Sequence, residues 1–140
     1  MKKTIVLDTN VLLSGLKSNR GFSYKLLEQL PFRIFDISIS VPLILEYESV
    51  LLKHHKSIGM LESDISSVLD YLCLIGQRTR IYYLWRPFLK DPFDDHILEV
   101  AVNSKSQYIV THNKKDFQNV DQFGIQVMSP KEFLLKEEKK

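Results

Sequence analysis

Short apolar segments alternate with longer amphipathic ones along the chain. The run TIVL at 4–7 is continuously apolar and rich in β-branched residues, which is typical of a strand buried on both faces. The stretch RIFDISIS at 33–40 alternates apolar and polar positions and predicts a second strand. Similar short runs predict further strands at 80–85, 107–111 and 125–128.

The segments between these runs carry apolar residues at helical spacing, and local signals mark several helix ends. Gly15 is expected to close the first helix and Pro31 to stop the second. Ser40 and Ser129 are expected N-caps, the latter in the capping box Ser-Pro-Lys-Glu. Helices are predicted at 10–16, 21–30, 42–56, 61–77, 92–104 and 130–138, with a helical turn at 112–117.

This order of elements predicts an α/β fold. Strands that alternate with helices favour a three-layer α/β/α domain with a central parallel sheet, here of about five strands. A chain of 140 residues is long enough for one good core. We therefore expect a single domain over residues 1–136, followed by a charged, frayed tail at 137–140.

Polar residues follow several of the predicted strands. In parallel sheets, ligands bind outside the carboxyl ends of the strands, near a switch in strand order. The sequence therefore predicts that candidate functional groups collect along one edge of the sheet. The residues concerned are Asp8, Thr9, Asn10, Ser40, Thr111, His112, Asn113 and Asp116.

The stretch KDPFDDHILEVA holds three aspartates at the start of an apolar helix. Asp91 followed by Pro92 is typical of a helix N-cap with proline at the first helical position. At about 100° per residue, Asp94 is expected near the centre of the apolar face and Asp95 towards its flank. A carboxylate directed at a core is costly unless a cation or hydrogen bonds compensate it.

Two other acids have similar positions. Asp8 ends a buried strand where nothing local requires a charge, although capping of the next helix is the structural alternative. Asn10 is placed to hold that carboxylate by hydrogen bonding. Glu46 lies near the apolar stripe of its helix, where a solvated surface glutamate is the usual case. Together with Asp94 these acids suggest a shared site for a hard cation, Mg²⁺ or Mn²⁺.

Bulk composition narrows the function classes. A net charge of +2 neither demands nor excludes a nucleic-acid partner. The single cysteine, Cys73, excludes an internal disulfide framework and a thiolate zinc cluster. The sequence has no HExxH, P-loop or G-x-S-x-G motif. No apolar stretch approaches the length of a membrane span, so we expect a soluble, cytoplasmic protein.

Four motifs in order carry a resemblance to a known family. They are VLDTNVLLSGL, VPLILEYESVL, DPFDDHILEVAV and YIVTHNKKDF, followed by a strand and SPKEFL. From about residue 4 to 134 this pattern resembles the PIN domain, and within it the bacterial toxin components of toxin–antitoxin pairs, the VapC-like ribonuclease group. The resemblance implies a small α/β nuclease that hydrolyses RNA with an acid cluster holding Mg²⁺ or Mn²⁺.

The resemblance also implies residue roles. It places the catalytic, metal-binding acids on Asp8, Glu46 and Asp94, and supporting roles on Asn10 and Thr111. Asp95 is expected to act as an outer or water-mediated ligand.

One position departs from the family pattern. The family's fourth acidic position falls on Asn113, which brings no negative charge and leaves the number of metals open between one and two. Asp116 is expected to compensate in part.

RNA contacts are expected from basic side chains near this site, which are Lys90, Arg86, Lys114 and Lys115. Tyr82, Tyr83, Trp85 and Phe88 offer rings for unpaired bases, although a strand and packed loop explain them more simply. The resemblance further implies a small antitoxin protein as partner and self-association as a dimer or larger oligomer.

Two alternatives stay open at this point. A catalytically weak or inactive PIN fold that binds RNA or protein is compatible with Asn113. A haloacid-dehalogenase-like phosphatase also places an aspartate at a strand end before a metal site. That family needs a second aspartate two residues later, where this chain has Asn10.

Overall fold

The computed structural model describes residues 3–32, 34–82 and 88–138, and within them the fold is built on one parallel sheet. Its strand order is β3-β2-β1-β4-β5, and every neighbouring pair is parallel. The expected α/β architecture with a central parallel sheet of five strands is therefore confirmed. The strands are β1 (Lys3–Leu7), β2 (Phe35–Ile39), β3 (Gln77–Arg78), β4 (Tyr108–Val110) and β5 (Gln126–Met128).

Helices connect these strands and cover both faces of the sheet. Consecutive residues Ile5, Val6 and Leu7 of β1 are all buried, which requires packing on both faces. The helices are α1 (Thr9–Lys17), α2 (Phe22–Glu28), α3 (Val41–His54), α4 (Glu62–Ile75), α5 (Asp95–Asn103) and α6 (Pro130–Glu138). Short 3₁₀ turns at Pro92–Asp94, Lys114–Phe117 and Val120–Phe123 complete the described elements.

The predicted helix starts at Ser40 and Ser129 are confirmed. The Ser40 hydroxyl accepts the backbone N–H of Leu43 at 3.2 Å. The Ser129 hydroxyl accepts the N–H of Glu132 at 3.2 Å, and the Glu132 carboxylate accepts the N–H of Ser129 at 2.9 Å. These reciprocal bonds are the two halves of a capping box.

The strand predicted at 80–85 is wrong for its described part. The sheet edge is formed earlier, by Gln77 and Arg78, which pair with β2 at Ser38 and Ile39. Residues 80–82 are not in a strand, and 83–85 lie outside the described residues. The helix predicted at 61–77 ends at Ile75 because Gly76 turns the chain into this edge strand.

The first helix ends near Gly15, as predicted, but Gly15 itself lies inside α1, which continues to Lys17. Its role is close packing of two helices. A Cβ at this position would lie 2.4 Å from Leu27 Cδ1 and 3.0 Å from the carbonyl oxygen of Ser23, both on α2. A side chain at position 15 would therefore push α1 and α2 apart.

The strand order reverses next to β1, which has β2 on one side and β4 on the other. Leu7 is level with Val110 across the β1–β4 pair, so the residues that follow them, Asp8 and Thr111, leave the sheet side by side. This switch in strand order is where parallel sheets bind ligands.

At the carboxyl end of the chain, α6 runs to Glu138 as the predicted helix did, so Glu137 and Glu138 belong to this helix and not to a frayed tail; Lys139 and Lys140 lie outside the described residues. None of the described helices has the length and apolar character needed to cross a membrane.

Candidate metal centre

Asp8 lies at the switch in strand order and is held by the neighbouring strand. Its backbone N–H donates to the carbonyl of Val110 at 2.9 Å, and its Oδ2 accepts the Thr111 hydroxyl at 2.7 Å. The side chain makes no capping hydrogen bond to α1, although Asp8 occupies the N-cap position. The capping alternative is therefore wrong, and a carboxylate in a residue only 7% exposed needs another explanation.

Glu46 reaches the same region from α3. The hydroxyl of Thr9, the residue after Asp8, donates to Glu46 Oε1. The next residue, Tyr47, is buried and donates its hydroxyl to the carbonyl of Leu7 at 2.5 Å. These two bonds tie the middle of α3 to the end of β1, which brings Glu46 close to Asp8.

Asp94 enters from the turn before α5, with a different orientation from the one predicted. Asp91 does cap this turn, since its carboxylate accepts the N–H of Phe93 at 3.0 Å with Pro92 behind it. The first turn is 3₁₀, however, and α5 begins only at Asp95. Because a 3₁₀ turn has three residues per turn rather than 3.6, the helical-wheel assignment of Asp94 to the centre of the apolar face is wrong. Asp94 is half-buried, and Asp95 is the buried residue.

The three acids are close enough for their charges to interact. Burial raises the pKa of Asp8, and the charge of Glu46 adds to this effect, while the Thr111 hydrogen bond opposes it. Burial, followed by the charges of Asp8, Asp91, Asp116 and Glu46, raises the pKa of Asp94 to about 6. Asp8, Glu46 and Asp94 therefore lie within electrostatic range of one another, and the region between them is called the acidic cleft below.

Glu46 differs from the other two acids. Burial raises its pKa, but hydrogen bonds from His96 and Thr9 outweigh that effect and hold the pKa of Glu46 below its ordinary value. Glu46 therefore keeps its charge beside two other acids.

Asp95 has a structural role rather than the expected one as an outer ligand. The residue is 1% exposed. Its Oδ1 accepts the backbone N–H of Leu89 at 2.9 Å, and both carboxylate oxygens lie 3.4 Å from the N–H of Phe88. The carboxylate is therefore engaged by the loop before the helix. The sequence alone does not show the role of an acid in the first turn of a helix, because it does not show which loop the side chain binds.

Replacement of Asp95 by alanine is expected to destabilise the fold by about 2 kcal/mol, because it leaves buried backbone N–H groups without an acceptor. Denaturant unfolding in the absence of metal measures this change. The exposed acid Asp121 provides the matched control, and its alanine variant is expected to change the free energy of unfolding by less than about 0.5 kcal/mol. Equal effects of the two substitutions would contradict the assigned role.

His96 is a site residue that sequence reasoning missed. At about 100° per residue His96 falls on the polar side of α5, but its side chain is only 14% exposed and its Nε2 contacts Glu46 Oε2. The contact bridges α5 and α3, 50 residues apart in sequence. Thr9 was placed at the sheet edge without a role, and the structure shows that it binds the same carboxylate from α1.

Of the predicted supporting residues, Thr111 contacts Asp8 directly. Thr111 is buried and, besides donating to Asp8, accepts the backbone N–H of Asn113 at 3.0 Å. Asn10 does not bond to Asp8. Its amide nitrogen lies 3.4 Å from the Thr111 hydroxyl, and its oxygen accepts the N–H of His112 at 3.3 Å. Asn10 therefore secures the loop after β4.

The 3₁₀ turn at Lys114–Phe117 confirms the predicted helical turn and places the charge of Asp116 near Asp94.

The predicted RNA-binding cations are only partly brought together. Lys90 and Lys115 are exposed and line one small depression with Asp116. Lys114 pairs with Glu132 at 2.9 Å. Arg86 lies outside the described residues, as do Tyr83 and Trp85. Two exposed arginines that the sequence analysis did not single out lie at the carboxyl end of the edge strand: Arg78 is the last residue of β3, and Arg80 follows it.

The acidic cleft suits a hard divalent cation. Carboxylate oxygens are the ligands that Mg²⁺ and Mn²⁺ prefer, and a cation would relieve the repulsion that raises the pKa of Asp94. Within the described ranges, no group of three His, Cys, Asp or Glu side chains is spaced to hold a metal ion as it stands. The donor set of Asp8, Glu46 and Asp94 fits a metal by charge and by ligand chemistry, although not by its spacing in the metal-free protein.

Comparison with known proteins identifies the family and the fold. Residues 4–115 match the PIN domain family. The fold is similar to solved structures of VapBC2 from Rickettsia felis, bound to a DNA fragment from their promoter, and of VapBC-1 from nontypeable Haemophilus influenzae. Each similarity has a TM-score of 0.62 at 17% sequence identity and covers 98% of the other chain. The match covers 90% of this chain for the Rickettsia structure and 91% for the Haemophilus structure. At that identity the likeness shows a shared fold. No curated protein sequence matches the chain.

Proposed function

The chain belongs to the PIN domain family, and we propose that it is a metal-dependent endoribonuclease that hydrolyses RNA phosphodiester bonds as the toxin of a toxin–antitoxin pair. The family match argues against the phosphatase alternative. We propose that residues 1–136 act as one nuclease domain in the cytoplasm, where RNA is available.

The observation that carries this proposal is the convergence of three acids on one cleft. Asp8 follows β1, Glu46 lies on α3 and Asp94 precedes α5, yet their charges act on one another. This arrangement does not stabilise the fold, because burial and mutual repulsion oppose the ionisation of Asp8 and Asp94. Carboxylates that are brought together at a switch in strand order, despite this energetic cost, indicate a functional site.

The proposed mechanism assigns each residue a task. When bound, Mg²⁺ or Mn²⁺ supplies Lewis-acid activation of water and of the phosphodiester. Asp8, Glu46 and Asp94 would hold the ion, and a carboxylate of this cluster accepts the proton of the attacking water. Thr111 fixes the orientation of Asp8, and Thr9 that of Glu46. Asn113 and Asp116 complete the rim of the acidic cleft. Because Asn113 is neutral, the site carries one negative charge fewer than it would with an acid at this position.

We propose that the RNA backbone is guided by exposed cations around the rim. Lys90 and Lys115 lie beside Asp116, and Arg78 and Arg80 lie at the carboxyl end of β3, at the same end of the sheet as Asp8. Phosphate contacts of this kind give sequence-independent affinity that weakens with salt. Lys114 is held by Glu132, which leaves it less suited to this role.

The proposed partners are an antitoxin and a second copy of the chain. Support for the antitoxin comes from the two VapBC structures that share this fold. Exposed apolar residues that repeat along α3, Val41, Leu45 and Leu52, offer a surface for self-association.

A labelled single-stranded RNA tests the proposed activity. The expected result is cleavage with added Mn²⁺ and none with EDTA. A DNA strand of the same sequence, incubated in parallel, shows whether the sugar matters. If Mn²⁺ binds but neither strand is cut, the second candidate, an inactive RNA- or protein-binding PIN fold that Asn113 keeps open, takes its place.

Metal binding is expected to weaken at acidic pH. The Asp94 carboxyl has a pKa of about 6, so below that pH protons compete with the cation for it. If one proton is displaced, the apparent Kd for Mn²⁺ rises about tenfold for each pH unit below 6. Calorimetric titrations at pH 5, 6 and 7.5 measure this dependence. An affinity that stayed constant over that range would show that Asp94 is not a ligand.

A further inference from the structure

His96 stands beside the acidic cleft without a role in the reaction described so far. It lies on α5 two residues after Asp94, and its Nε2 contacts Glu46 Oε2. The side chain is largely buried, so the contact is sheltered from solvent. His96 is also near enough to Asp8 to influence the pKa of that acid.

The chemistry of the contact fixes which imidazole nitrogen carries hydrogen. A carboxylate oxygen that is ionised only accepts hydrogen bonds, so a bare Nε2 facing it would be repelled. Nε2 therefore carries the hydrogen and donates it to Glu46. The other nitrogen, Nδ1, is buried and has no hydrogen-bond partner among the described residues.

Glu46 is consequently held at both oxygens. Thr9 on α1 donates to Oε1, and His96 on α5 donates to Oε2. A carboxylate offers about four lone-pair positions, so two remain after these bonds for a cation. Three helices thus meet at one carboxylate, and their side chains fix its orientation.

We propose that His96 is the positioning residue of the metal centre and acts through Glu46, which it orients by donating from Nε2. The inference rests on the proposed metal site. With hydrogen on Nε2, that nitrogen has no lone pair in the ring plane for a cation, so at its contact with Glu46 His96 acts as a donor to a ligand rather than as a ligand. Donors of this kind typically change metal affinity 10–100-fold when removed.

Two amide variants distinguish a hydrogen-bond donor to Glu46 from a direct metal ligand. In His96→Gln the amide nitrogen reaches about as far as Nε2 and keeps an N–H donor for Glu46. In His96→Asn the side chain is one methylene shorter, and the donor ends near the position of Nδ1. His54→Asn, at the far end of α3, serves as the matched control.

Mn²⁺ affinity, measured by calorimetry, is the main readout. The expected result is a Kd at least tenfold weaker than wild type for His96→Asn and within about threefold for both His96→Gln and the control. In the metal-free wild type, ¹⁵N spectra of the imidazole are expected to show hydrogen on Nε2. Unfolding curves of the metal-free variants identify any that do not fold.

The alternative outcomes overturn different statements. If His96→Gln loses affinity as fully as His96→Asn, the imidazole itself is a ligand and the positioning role is wrong. If both variants bind Mn²⁺ like wild type, His96 does not act on the metal centre. If wild type shows no specific Mn²⁺ site, the proposed metal centre fails, and the role of His96 fails with it.

Discussion

Asp8→Asn is expected to reduce RNA cleavage by about 100-fold or more. The substitution removes one negative charge and one oxygen from the centre of the acidic cleft, where Asp8 is the most buried of the three acids. Loss of a group that merely supports a ligand typically costs 10–100-fold, so loss of a ligand should cost at least as much. Single-turnover cleavage with Mn²⁺ present measures the effect.

The substitution is well suited to this test because it should leave the fold intact. Asparagine has nearly the same shape, and its oxygen still accepts the Thr111 hydroxyl. Asp70→Asn makes the same chemical change at an exposed position on α4 and is expected to cleave like wild type. Equal rates for Asp8→Asn and Asp70→Asn would remove Asp8 from the site.

Asp94→Asn is expected to have opposite effects on activity and on the stability of the metal-free protein. Cleavage should fall on the order of 100-fold, as for Asp8. Without metal, however, the variant should be more stable than wild type near pH 7.5. The reason is that the ionised Asp94 carboxylate is opposed by burial and by the neighbouring acids.

The sign follows from the pKa of Asp94, which is about 6 in the folded protein against an ordinary value of 3.8. Between these values the folded state binds more protons than the unfolded state, so stability falls as pH rises from about 4 to 6. Above pH 6 the loss is complete. After allowance for solvent screening of this half-exposed group, the loss is about 1 kcal/mol. Asparagine removes it.

Mn²⁺ should reverse the order of the two proteins. At 100 times Kd the cation stabilises wild type by about 2.7 kcal/mol, and it should stabilise Asp94→Asn far less. Thermal unfolding at pH 7.5, with and without Mn²⁺, measures both differences. At pH 4 the metal-free proteins should unfold at nearly the same temperature. A variant less stable than wild type under every condition would show that Asp94 supports the fold instead.

The sequence predicted the structure well where the pattern lies within a single strand or helix. The continuous apolar run of β1, the alternation in β2 and the capping box at Ser129 each involve residues close together in the chain. The same holds for the position of Asp8, because the end of a buried strand is visible in sequence. Strand order at the switch follows from chain crossovers and became visible only in the assembled sheet.

Errors arose where partners are distant or the helical period breaks. Asp94 and Asp95 exchanged their expected burial because a 3₁₀ turn precedes α5. His96 was placed on a polar face because its partner, Glu46, lies 50 residues away on another helix. Gly15 resembled a helix terminator, although the close approach of Leu27 explains it. A single helical wheel contains none of these contacts.

The central claim is that Asp8, Glu46 and Asp94 hold one cation on which RNA cleavage depends. The most direct test is a titration of wild-type protein with Mn²⁺, followed in parallel by calorimetry and by the single-turnover cleavage rate. We predict one ion bound per chain and a cleavage rate that rises with the same midpoint as binding. Cleavage that proceeds fully in EDTA, or with a midpoint unrelated to Mn²⁺ binding, would contradict the assignment.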